Sequence, residues 1–504
     1  MADNIYVSKV DEVYLKVDCS DSGIERELAE YFTFYVPGYQ FTPQYKSKLW
    51  DGKIRLYNRT NHSLYYGLTG YIAKFAKERE YPLYFGEDVL LTDNFSIEEA
   101  KEFIKTLNLK LEPRDYQIDA FVHAIRNRRL LCLSPTASGK SLIAYLICRY
   151  LLRHNKSGLI LVPTTSLVEQ LYSDFSNYSN DTDSNISRSN DDEFQIKAAV
   201  HKIYSGHEKN TDKPIVISTW QSLYKFPESY FSRFDFVIGD ECHLYKAKSL
   251  TSIMTKLKRT KYRIGMTGTL DGTKTHRLVL EGLFGPVRKV VTTNQLIERK
   301  ELSNFQIKCL VLKYNSESVK KVRNLAYIDE IKFLISHDAR NRFIRNLALS
   351  LNENTLILFQ FVEDHGKILH KLIEEKANER KVYFVYGKTE TETREEIRSI
   401  MERESGSIVV ASYGVFSTGI NIRNLHNIIF ASPSKSRVRN LQSIGRGLRT
   451  HDSKKVATLY DIADDLKSGK KMNYTYKHYM DRLAIYKDEK FPFKVYSIDL
   501  ESST

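Results

Sequence analysis

The chain has 504 residues, which is too long for a single hydrophobic core and predicts about three domains. Its 42% hydrophobic and 27% charged residues are typical of a globular protein, and no apolar run is long enough to cross a membrane. The formal net charge of +14 favours a polyanionic partner such as nucleic acid, although a merely basic protein would have the same charge.

The first residues, MADNIYVSKVDEVYLK, lack the basic start and the apolar stretch of a secretory signal. The cysteines are dispersed and show no paired spacing for a metal, which predicts reduced thiols and no structural zinc site. We therefore expect a protein of the cytosol. The five cysteines are Cys19, Cys132, Cys148, Cys242 and Cys309.

Residues 1–30 are acidic, whereas residues 31–85 are basic and rich in aromatic side chains. This composition predicts a small α+β domain that ends near Asn94. Basic and aromatic side chains suit contacts with nucleic-acid phosphates and stacked bases, but a domain of this size also needs aromatic rings for its core. We therefore assign candidate nucleic-acid contacts to Lys48, Lys53 and Arg55. The next segment, FSIEEAKEFIKTLN, predicts a helix capped by Ser96.

Short apolar segments alternate with helical segments between residues 111 and 295. Continuous apolar strands separated by helices predict a parallel sheet covered on both faces. The stretch 176–193 has almost no apolar residue and predicts a mobile surface loop. The predicted strands are RLLCL (129–133), GLILV (158–162), PIVIS (214–218), FDFVI (234–238) and YRIGM (262–266).

The same alternation returns between residues 340 and 465 and predicts a second parallel sheet. The tail, residues 468–500, is basic and rich in tyrosine, so we expect it either to pack on the core or to extend a nucleic-acid surface. The predicted strands are TLILFQF (355–361), VYFVY (382–386), SIVVAS (407–412), NIIFAS (427–432) and ATLYDI (457–462).

The segment LSPTASGKS, residues 133–141, joins the first predicted strand to an apolar helical run. A phosphate-binding loop needs this strand–loop–helix context, a lysine for the outer phosphates and a hydroxyl for Mg²⁺. Gly139, Lys140 and Ser141 meet these needs, while Ser134 and Ala137 depart from the usual glycine-rich pattern. An ordinary strand-to-helix turn is the alternative for this segment alone.

The segment VIGDECHLY, residues 237–245, places Asp240 and Glu241 just after an apolar strand. Asp240 lies 100 residues after Lys140. In nucleoside triphosphatases, an acid at such a strand end holds Mg²⁺ and its neighbour polarises the attacking water. We therefore predict Ser141 and Asp240 as Mg²⁺ ligands. A solvated turn is the alternative for an isolated acid pair, but it does not account for the phosphate loop that precedes the pair.

Together, SPTASGKS, DECH, TGT (267–269) and QSIGRGLR (442–449) resemble the DExH branch of superfamily-two helicases and translocases. The resemblance covers residues 111–465 and implies an ATP-driven motor with two tandem RecA-like domains. It implies that ATP is held by the adenine-recognition segment RDYQIDA, by the phosphate loop and by the segment ASYGVFSTGINI of the second half. The implied nucleotide contacts are Arg114, Tyr116, Gln117, Pro135, Thr136, Ala137, Ser138, Gly139, Lys140, Ser141 and Gly419.

Arg446 and Arg449 lie three positions apart, so a helix would present them on one face. The resemblance makes them arginine fingers that stabilise charge on the departing phosphate, with Gln442 beside them. It also implies that His243 couples the ATP site to the cleft between the domains. Surface ion pairs or contacts with nucleic-acid phosphates are the alternative for the two arginines.

The resemblance also implies contacts with nucleic acid in the segments VPTTSLVEQ (162–170), STWQSL (218–223) and ASYGVFSTGINI (411–422). They carry the candidate residues Thr164, Thr165, Thr219, Gln221 and Thr418.

The N-terminal segments LWDGKIRLY and GLTGYIAKF resemble the accessory domain of the recombination helicases of T-even bacteriophages. This resemblance implies a tailed-phage, ATP-dependent DNA helicase that acts on branched DNA such as Holliday junctions, stalled forks, R-loops or D-loops. It implies ATP and Mg²⁺ as cofactors, DNA and the RNA of R-loops as partners, no membrane and a monomer in the host cytosol.

The expected architecture is α/β, with two tandem RecA-like parallel-sheet motor domains after a small α+β accessory domain. The boundaries are 1–95 for the accessory DNA-binding domain, 96–300 and 301–465 for the two motor domains, and 466–504 for a basic extension. Three alternatives remain open: an RNA helicase, a translocase on intact duplex DNA, and a nucleotide-regulated DNA-binding or annealing protein without a motor. The second α/β half with its arginines argues against a small-molecule kinase.

Overall fold

The computed structural model covers the chain with gaps. It describes residues 4–179, 195–245, 248–270, 272–418, 422–432, 436, 441, 443–445, 447–448, 450–451, 454, 456–469 and 471–500. The structure separates into two compact units, and each is described by itself. The first contains residues up to Ser134 and Gly139–Val290, and the second contains residues from Val291 onward together with the short segment Pro135–Ser138. Among the described residues, no helix is long and apolar enough to cross a bilayer.

The N-terminal region forms a small mixed sheet in the order β5-β2-β1-β6, together with a separate β3-β4 ribbon. Strand β1 pairs antiparallel with β2 and parallel with β6. The predicted α+β accessory fold is therefore confirmed. Its elements are β1 (Ile5–Lys9), β2 (Tyr14–Cys19), α1 (Ser22–Tyr31), β3 (Thr33–Tyr35), α2 (Pro43–Lys46), β4 (Lys53–Arg55), β5 (Ser63–Tyr65), α3 (Thr69–Glu78) and β6 (Leu83–Phe85).

The first large sheet has seven parallel strands in the order β13-β7-β12-β11-β8-β10-β9. The predicted strands match β7 (Arg129–Leu133), β8 (Gly158–Val162), β10 (Ile215–Thr219), β11 (Phe236–Gly239) and β12 (Tyr262–Thr267) to within two residues at each end. The short outer strands β9 (Val200–Ile203) and β13 (Val287–Lys289) were not predicted.

Helices pack on both faces of this sheet. Ser96 caps the first of them in a capping box with Glu99, as the sequence predicts. The predicted loop at 176–193 begins within α7, and residues 180–194 lie outside the described residues. The helices are α4 (Ile97–Thr106), α5 (Asp115–Asn127), α6 (Lys140–Arg153), α7 (Thr165–Tyr178), α8 (Ile196–Ala199), α9 (Trp220–Leu223), α10 (Glu228–Phe231), α11 (Lys248–Lys256) and α12 (Lys274–Phe284).

The small N-terminal sheet and the first large sheet share one apolar core. A single cluster of buried side chains runs from Ile5 and Phe75 to Leu131 and Phe284. At this junction the Tyr71 hydroxyl donates to the buried Glu281 carboxylate over 2.5 Å, and burial together with this bond raises the pKa of Tyr71 to about 12. The two parts therefore form one packed body.

The second unit contains the other large sheet, with seven parallel strands in the order β16-β17-β15-β18-β19-β14-β20. The predicted strands correspond to β15 (Thr355–Phe359), β16 (Val382–Val385), β17 (Ile408–Ser412), β18 (Asn427–Phe430) and β19 (Val456–Asp465). The helices of this unit are α13 (Thr293–Glu298), α14 (Ser316–Val322), α15 (Tyr327–Ser336), α16 (Asp338–Ser350), α17 (Lys367–Glu374), α18 (Thr391–Arg403), α19 (Tyr413–Thr418) and α20 (Tyr474–Asp488). A second sheet of this kind confirms the tandem α/β architecture.

The tail of the chain belongs to this second sheet. Strand β14 (Asn304–Lys313) pairs with β19 on one side and with the tail strand β20 (Phe493–Asp499) on the other. Helix α20 is anchored by Arg482, whose buried guanidinium donates to the buried carboxylate of Asp461 over 2.8–3.1 Å. Of the two placements expected for the tail, packing on the core is the one observed.

A substitution at Gly67 tests how closely the small sheet and the first large sheet pack at their junction. A Cβ at this position would lie 1.9 Å from the Glu281 carbonyl oxygen, so Gly67→Ala must separate two backbones. We expect it to lower the free energy of unfolding by about 2 kcal/mol, measured by urea denaturation of the full chain. The control is Gly70→Ala, because a Cβ there meets nothing within 4 Å. Equal stability of the two variants would contradict a close-packed junction.

Candidate functional site

The predicted phosphate loop connects β7 to α6, the context that such a loop requires. Gly139 precedes the first helical residue with a left-handed φ of +77°, and Ala137 also has a positive φ of +68°. Ser134 is outside the left-handed region, so a serine occupies this position without backbone strain. Ala137 therefore holds a backbone conformation that glycine adopts more easily.

The predicted adenine-recognition residues lie against this loop. Gln117 is buried, and a Cβ on Gly139 would come within 2.2 Å of its Nε2 atom. The Gln117 Oε1 atom accepts from the Arg114 backbone N–H at 2.8 Å, and the Arg114 guanidinium donates to the Tyr116 hydroxyl at 2.8 Å. Tyr116 is itself buried, so its ring does not offer an open face for a base to stack on. It instead supports Arg114 through its hydroxyl.

Lys140 and Ser141 open helix α6, where the helix dipole favours an anion. The Lys140 ammonium donates to the Ser134 carbonyl oxygen at 3.0 Å, so it folds back over the loop. The Ser141 hydroxyl lies 3.0 Å from the hydroxyl of Tyr178, the last residue of α7. Tyr178 is a contact that the sequence analysis missed, because nothing in its local sequence ties it to a loop 37 residues earlier.

Asp240 and Glu241 follow β11. Asp240 as a whole is half-buried, but its Oδ1 atom is buried and has no hydrogen-bond partner among the described residues. Burial and the neighbouring Glu241 raise the pKa of Asp240 to about 6, against the lowering effect of Lys140. Glu241 has a left-handed φ of +46°, a strained conformation of the kind that proteins concentrate at functional sites.

His243 links the acid pair to the next strand. Its Nδ1 atom lies 3.1 Å from the Thr267 hydroxyl, at the end of β12, and 3.3 Å from the Glu241 carboxylate. The Thr267 hydroxyl also donates to the Thr269 carbonyl oxygen at 2.9 Å. The DECH and TGT segments are therefore one hydrogen-bonded group.

Sheet order explains why these segments meet. Strands β7, β12 and β11 are direct neighbours and run parallel, so the loop after β7, Thr267 after β12 and Asp240 after β11 share one sheet edge. Ligands of parallel α/β sheets bind at this carboxyl edge.

Further along the same edge lie four of the predicted nucleic-acid contacts. Thr164 caps α7 after β8, and Thr165 is the first residue of that helix. On the neighbouring strand, Thr219 ends β10, and the exposed Gln221 reaches back to donate to the Pro163 carbonyl oxygen at 3.3 Å. The structure thus brings the two predicted contact segments of the first half together.

Lys48, Lys53 and Arg55 belong to the β3-β4 ribbon of the small N-terminal region and not to this sheet edge. Lys53 lies over the Tyr35 ring at 4.9 Å, and Arg55 pairs with Asp51. Lys48 is exposed in the connection between the two strands. Gly419, Gln442, Arg446 and Arg449 lie outside the described residues, and Thr418 is the last residue of α19.

The buried Asp240 carboxyl predicts a stability cost in the ligand-free protein. Because the folded pKa of about 6 exceeds the ordinary value of 3.8, the cost is present above pH 6 and disappears toward pH 4. We expect Asp240→Asn to raise the free energy of unfolding by about 3 kcal/mol at pH 8 in EDTA, with a smaller gain at pH 5.

The matched control is Asp235→Asn, because the Asp235 carboxylate accepts from the Ser157 backbone N–H at 2.9 Å and is partly exposed. It should bring no gain at either pH. A gain for Asp240→Asn that did not depend on pH would contradict the elevated pKa.

Comparison with known families divides the chain in the same order as its folding units. Residues 4–86 match the family "DNA helicase UvsW, N-terminal", residues 110–272 match "Type III restriction enzyme, res subunit", and residues 338–451 match "Helicase conserved C-terminal domain". The first two matches cover the small sheet and most of the first large sheet, and the third lies in the second unit.

Whole-chain relatives agree with these matches. The chain is 36% identical to the ATP-dependent DNA helicase uvsW of Enterobacteria phage T4, over 97% of this chain and 98% of that protein. It is 25% identical to the DNA 3'-5' translocase XPB2 of Sulfurisphaera tokodaii, over 70% of this chain and 82% of that one. The crystal structure of T4 UvsW aligns over 99% of this chain and 100% of that chain, with 34% identity and a TM-score of 0.52.

Sequence identity of this level along nearly the full length of both proteins, with the same fold and with matches to the UvsW N-terminal family and the helicase C-terminal family, shows common descent. The chain belongs to the UvsW family of ATP-dependent DNA helicases.

Proposed function

We propose that this protein couples ATP hydrolysis to movement along DNA and remodels branched DNA during phage recombination, repair and replication. One observation carries the proposal. The phosphate loop, the Asp240–Glu241 pair and the His243–Thr267 contact converge at one sheet edge of a chain whose relative is an ATP-dependent DNA helicase.

In this proposal the start of helix α5 and the phosphate loop bind the nucleotide. Gln117 reads the edge of the adenine base, with Arg114 and Tyr116 holding it in place. Thr136, Ala137, Ser138 and Gly139 of the loop present backbone N–H groups to the phosphates, and Pro135, which has no N–H, lines the loop at its start. Lys140 leaves the Ser134 carbonyl to bind the outer phosphates.

The residues present fit Mg²⁺. Asp240 contributes a buried carboxylate oxygen with no hydrogen-bond partner among the described residues, and Ser141 contributes a hydroxyl at the start of α6. Oxygen ligands of this kind are those that Mg²⁺ prefers. When bound, Mg²⁺ would neutralise charge on the phosphates and favour the ionised form of Asp240. Glu241 orients and polarises the attacking water, and His243 with Thr267 holds Glu241 in place.

The second unit supplies the remaining groups. We propose that Arg446 and Arg449 stabilise the transition-state charge, with Gln442 beside them and Gly419 near the nucleotide. Their roles are supported by the QSIGRGLR and STGI motifs and by the helicase match over residues 338–451.

DNA would follow the carboxyl edge of the first sheet. Thr164, Thr165, Thr219 and Gln221 lie there at the ends of two neighbouring strands, and Thr418 is a further proposed contact in the second unit. Lys48, Lys53 and Arg55 of the accessory region would hold an adjoining arm of a branch through its phosphates. We propose a monomer in the host cytosol with forks, four-way junctions and R-loops as substrates, the RNA strand of R-loops included.

The test of this function is ATP-dependent unwinding of a fork, a four-way junction, an R-loop and a blunt duplex. We expect the branched substrates to be unwound and the blunt duplex to remain, and we expect DNA to stimulate the ATPase. Lys140→Ala, Glu241→Gln and Arg446→Ala should each lower the DNA-stimulated ATPase at least about 100-fold, because each removes charge or water positioning at the phosphates.

Three outcomes would contradict the proposal. Stimulation by RNA alone would indicate an RNA helicase, and equal activity on blunt and forked DNA would indicate a duplex translocase. Strand exchange that survives Lys140→Ala undiminished would indicate an annealing protein.

Tyr178 gives a separate prediction about the metal ligand Ser141. A hydroxyl that binds Mg²⁺ through oxygen needs an acceptor for its proton, and the Tyr178 hydroxyl lies 3.0 Å away. Tyr178→Phe should therefore raise the Mg²⁺ concentration needed for half-maximal ATPase about tenfold. Tyr172→Phe on the same helix, where Lys202 covers the ring at 4.7 Å, should have no such effect. An unchanged Mg²⁺ dependence of the ATPase in Tyr178→Phe would contradict this role of Tyr178.

A further inference from the structure

A cavity lies at the junction of the small N-terminal sheet and the first large sheet, away from the phosphate loop. Its volume is about 340 Å³. Residues from both parts line it, including Lys9 and Tyr66 from the small sheet and Arg128, Lys261 and Arg288 from the large one. The last three stand at or near the first residues of β7, β12 and β13. This is the opposite edge of the sheet from the loop that follows β7, about 15 Å away along a five-residue strand.

The lining is strongly basic. It contains the cations Lys9, Arg128, Arg129, Lys261 and Arg288, and its one acid is Glu12. Two further acids lie outside the lining. Asp93 accepts from the Nε and Nη2 atoms of Arg128, and Asp119 accepts from the Nη2 atom of Arg288 at 2.7 Å. Even with these acids counted, the group keeps an excess of positive charge. Lys261 is exposed at the rim.

Arg129 is the buried member of this group. Its guanidinium lies 4.0 Å from the centre of the Tyr66 ring, and its Nη2 atom donates to the carbonyl and carboxylate oxygens of Glu12 at 2.6 and 3.1 Å. Its Nη1 atom is buried and has no hydrogen-bond partner among the described residues. Burial lowers the pKa of Arg129, and Glu12 offsets part of that effect. Glu12 compensates the charge of Arg129, but a buried N–H donor without an acceptor is still costly.

His123 also lines the cavity and carries an uncharged N–H donor. Its Nδ1 atom lies 3.1 Å from the Asn127 amide nitrogen and 3.3 Å from the Arg288 guanidinium, so it accepts from these donors and the ring proton belongs on Nε2. Burial and Arg288 lower the pKa of His123, which keeps the ring neutral at pH 7.

Helix α3 also begins at this cavity, with Thr69 and Gly70 in the lining. The single-turn 3-10 helix Tyr66–Leu68 runs directly into it, and the Thr69 N–H donates to the Tyr66 carbonyl oxygen. Among the described residues no side chain caps either helix, so the positive end of the helix dipole lies at Tyr66 and Gly67, which also line the cavity. The rim includes Leu90 and Leu91, which are 62% and 46% exposed and could cover the apolar face of a sugar. Cations and a helix start beside apolar rim residues match a sugar-phosphate unit better than free inorganic phosphate.

We propose that this cavity binds a backbone phosphate of DNA, as a contact separate from the carboxyl edge where the motor motifs lie. The inference rests on the proposed function in that DNA is the substrate. Because both parts of one packed body line the cavity, a phosphate held there would fix one arm of a branch relative to the first motor unit. Such a contact is independent of sequence and weakens with salt.

Gly70→Asp tests the site directly. Its side chain enters open space at the start of a helix, where an acid is well tolerated, so the variant should fold as Gly70→Ala does. The measurement is the affinity of the full chain for a forked DNA between 50 and 300 mM salt. We expect Gly70→Asp and Lys261→Ala each to weaken binding at least about fivefold at low salt and to lower the slope of log K against log salt by about 0.9, one phosphate contact.

Two controls distinguish the effect of the introduced charge from the effect of the position of the substitution. Gly70→Ala keeps the cavity without the acid, and Lys156→Ala removes a lysine near the start of β8 at the same sheet edge, outside the lining. Both should behave as the wild type. The DNA-independent ATPase should be unchanged in all four variants.

The outcomes separate the inference from the proposed function. An unchanged slope in Gly70→Asp, with wild-type protein that binds the fork, would overturn the inference alone. Thermal protection by millimolar inorganic phosphate that Gly70→Asp abolishes, without a change in fork binding, would also overturn it by assigning the site to free phosphate. Wild-type protein that binds no fork would overturn both.

Discussion

The parallel pairing of β7, β12 and β11 is the constraint on which the candidate site depends. Parallel strands end together at one edge, so three short segments that are far apart in the chain become neighbours there. The contact between Gln117 and Gly139, the fold of Lys140 over Ser134 and the His243–Thr267 bond all follow from that shared edge. Because the same edge continues through β8 and β10, the predicted DNA contacts of the first unit are placed by the same sheet.

The site is also costly to build. The buried Oδ1 atom of Asp240 has no hydrogen-bond partner among the described residues, and Ala137 and Glu241 hold left-handed backbone conformations. Each of these features opposes folding of the ligand-free chain. The surrounding strands are continuous apolar segments buried on both faces, and they supply the stability that holds the strained groups in place.

The central strands could be predicted from the sequence because burial on both faces leaves apolar runs such as GLILV and the LLCL that follows Arg129. The outer strands could not. Strand β20 mixes exposed Val495 and Tyr496 with polar residues, and β9 and β13 are only four and three residues long. Strand β14 alternates polar and apolar residues over its first half, and in that half it resembles a surface strand.

Motif spacing located the loop, the acids and His243, whereas Tyr178 reaches Ser141 only through packing of α7 on the first sheet. The N-terminal region was expected as a domain of its own, and nothing in its composition indicates that it shares a core with the motor.

That shared core has a consequence for how the protein can change over generations. Gly67 lies against the Glu281 backbone, Tyr71 bonds the Glu281 side chain, and Arg129 bonds Glu12 across the same junction. An accessory region attached by a flexible linker could be exchanged between helicases without harm to either part. Here the accessory region and the motor are two sides of one interior, so a substitution on one side requires a matching one on the other, and the pair is inherited as a unit.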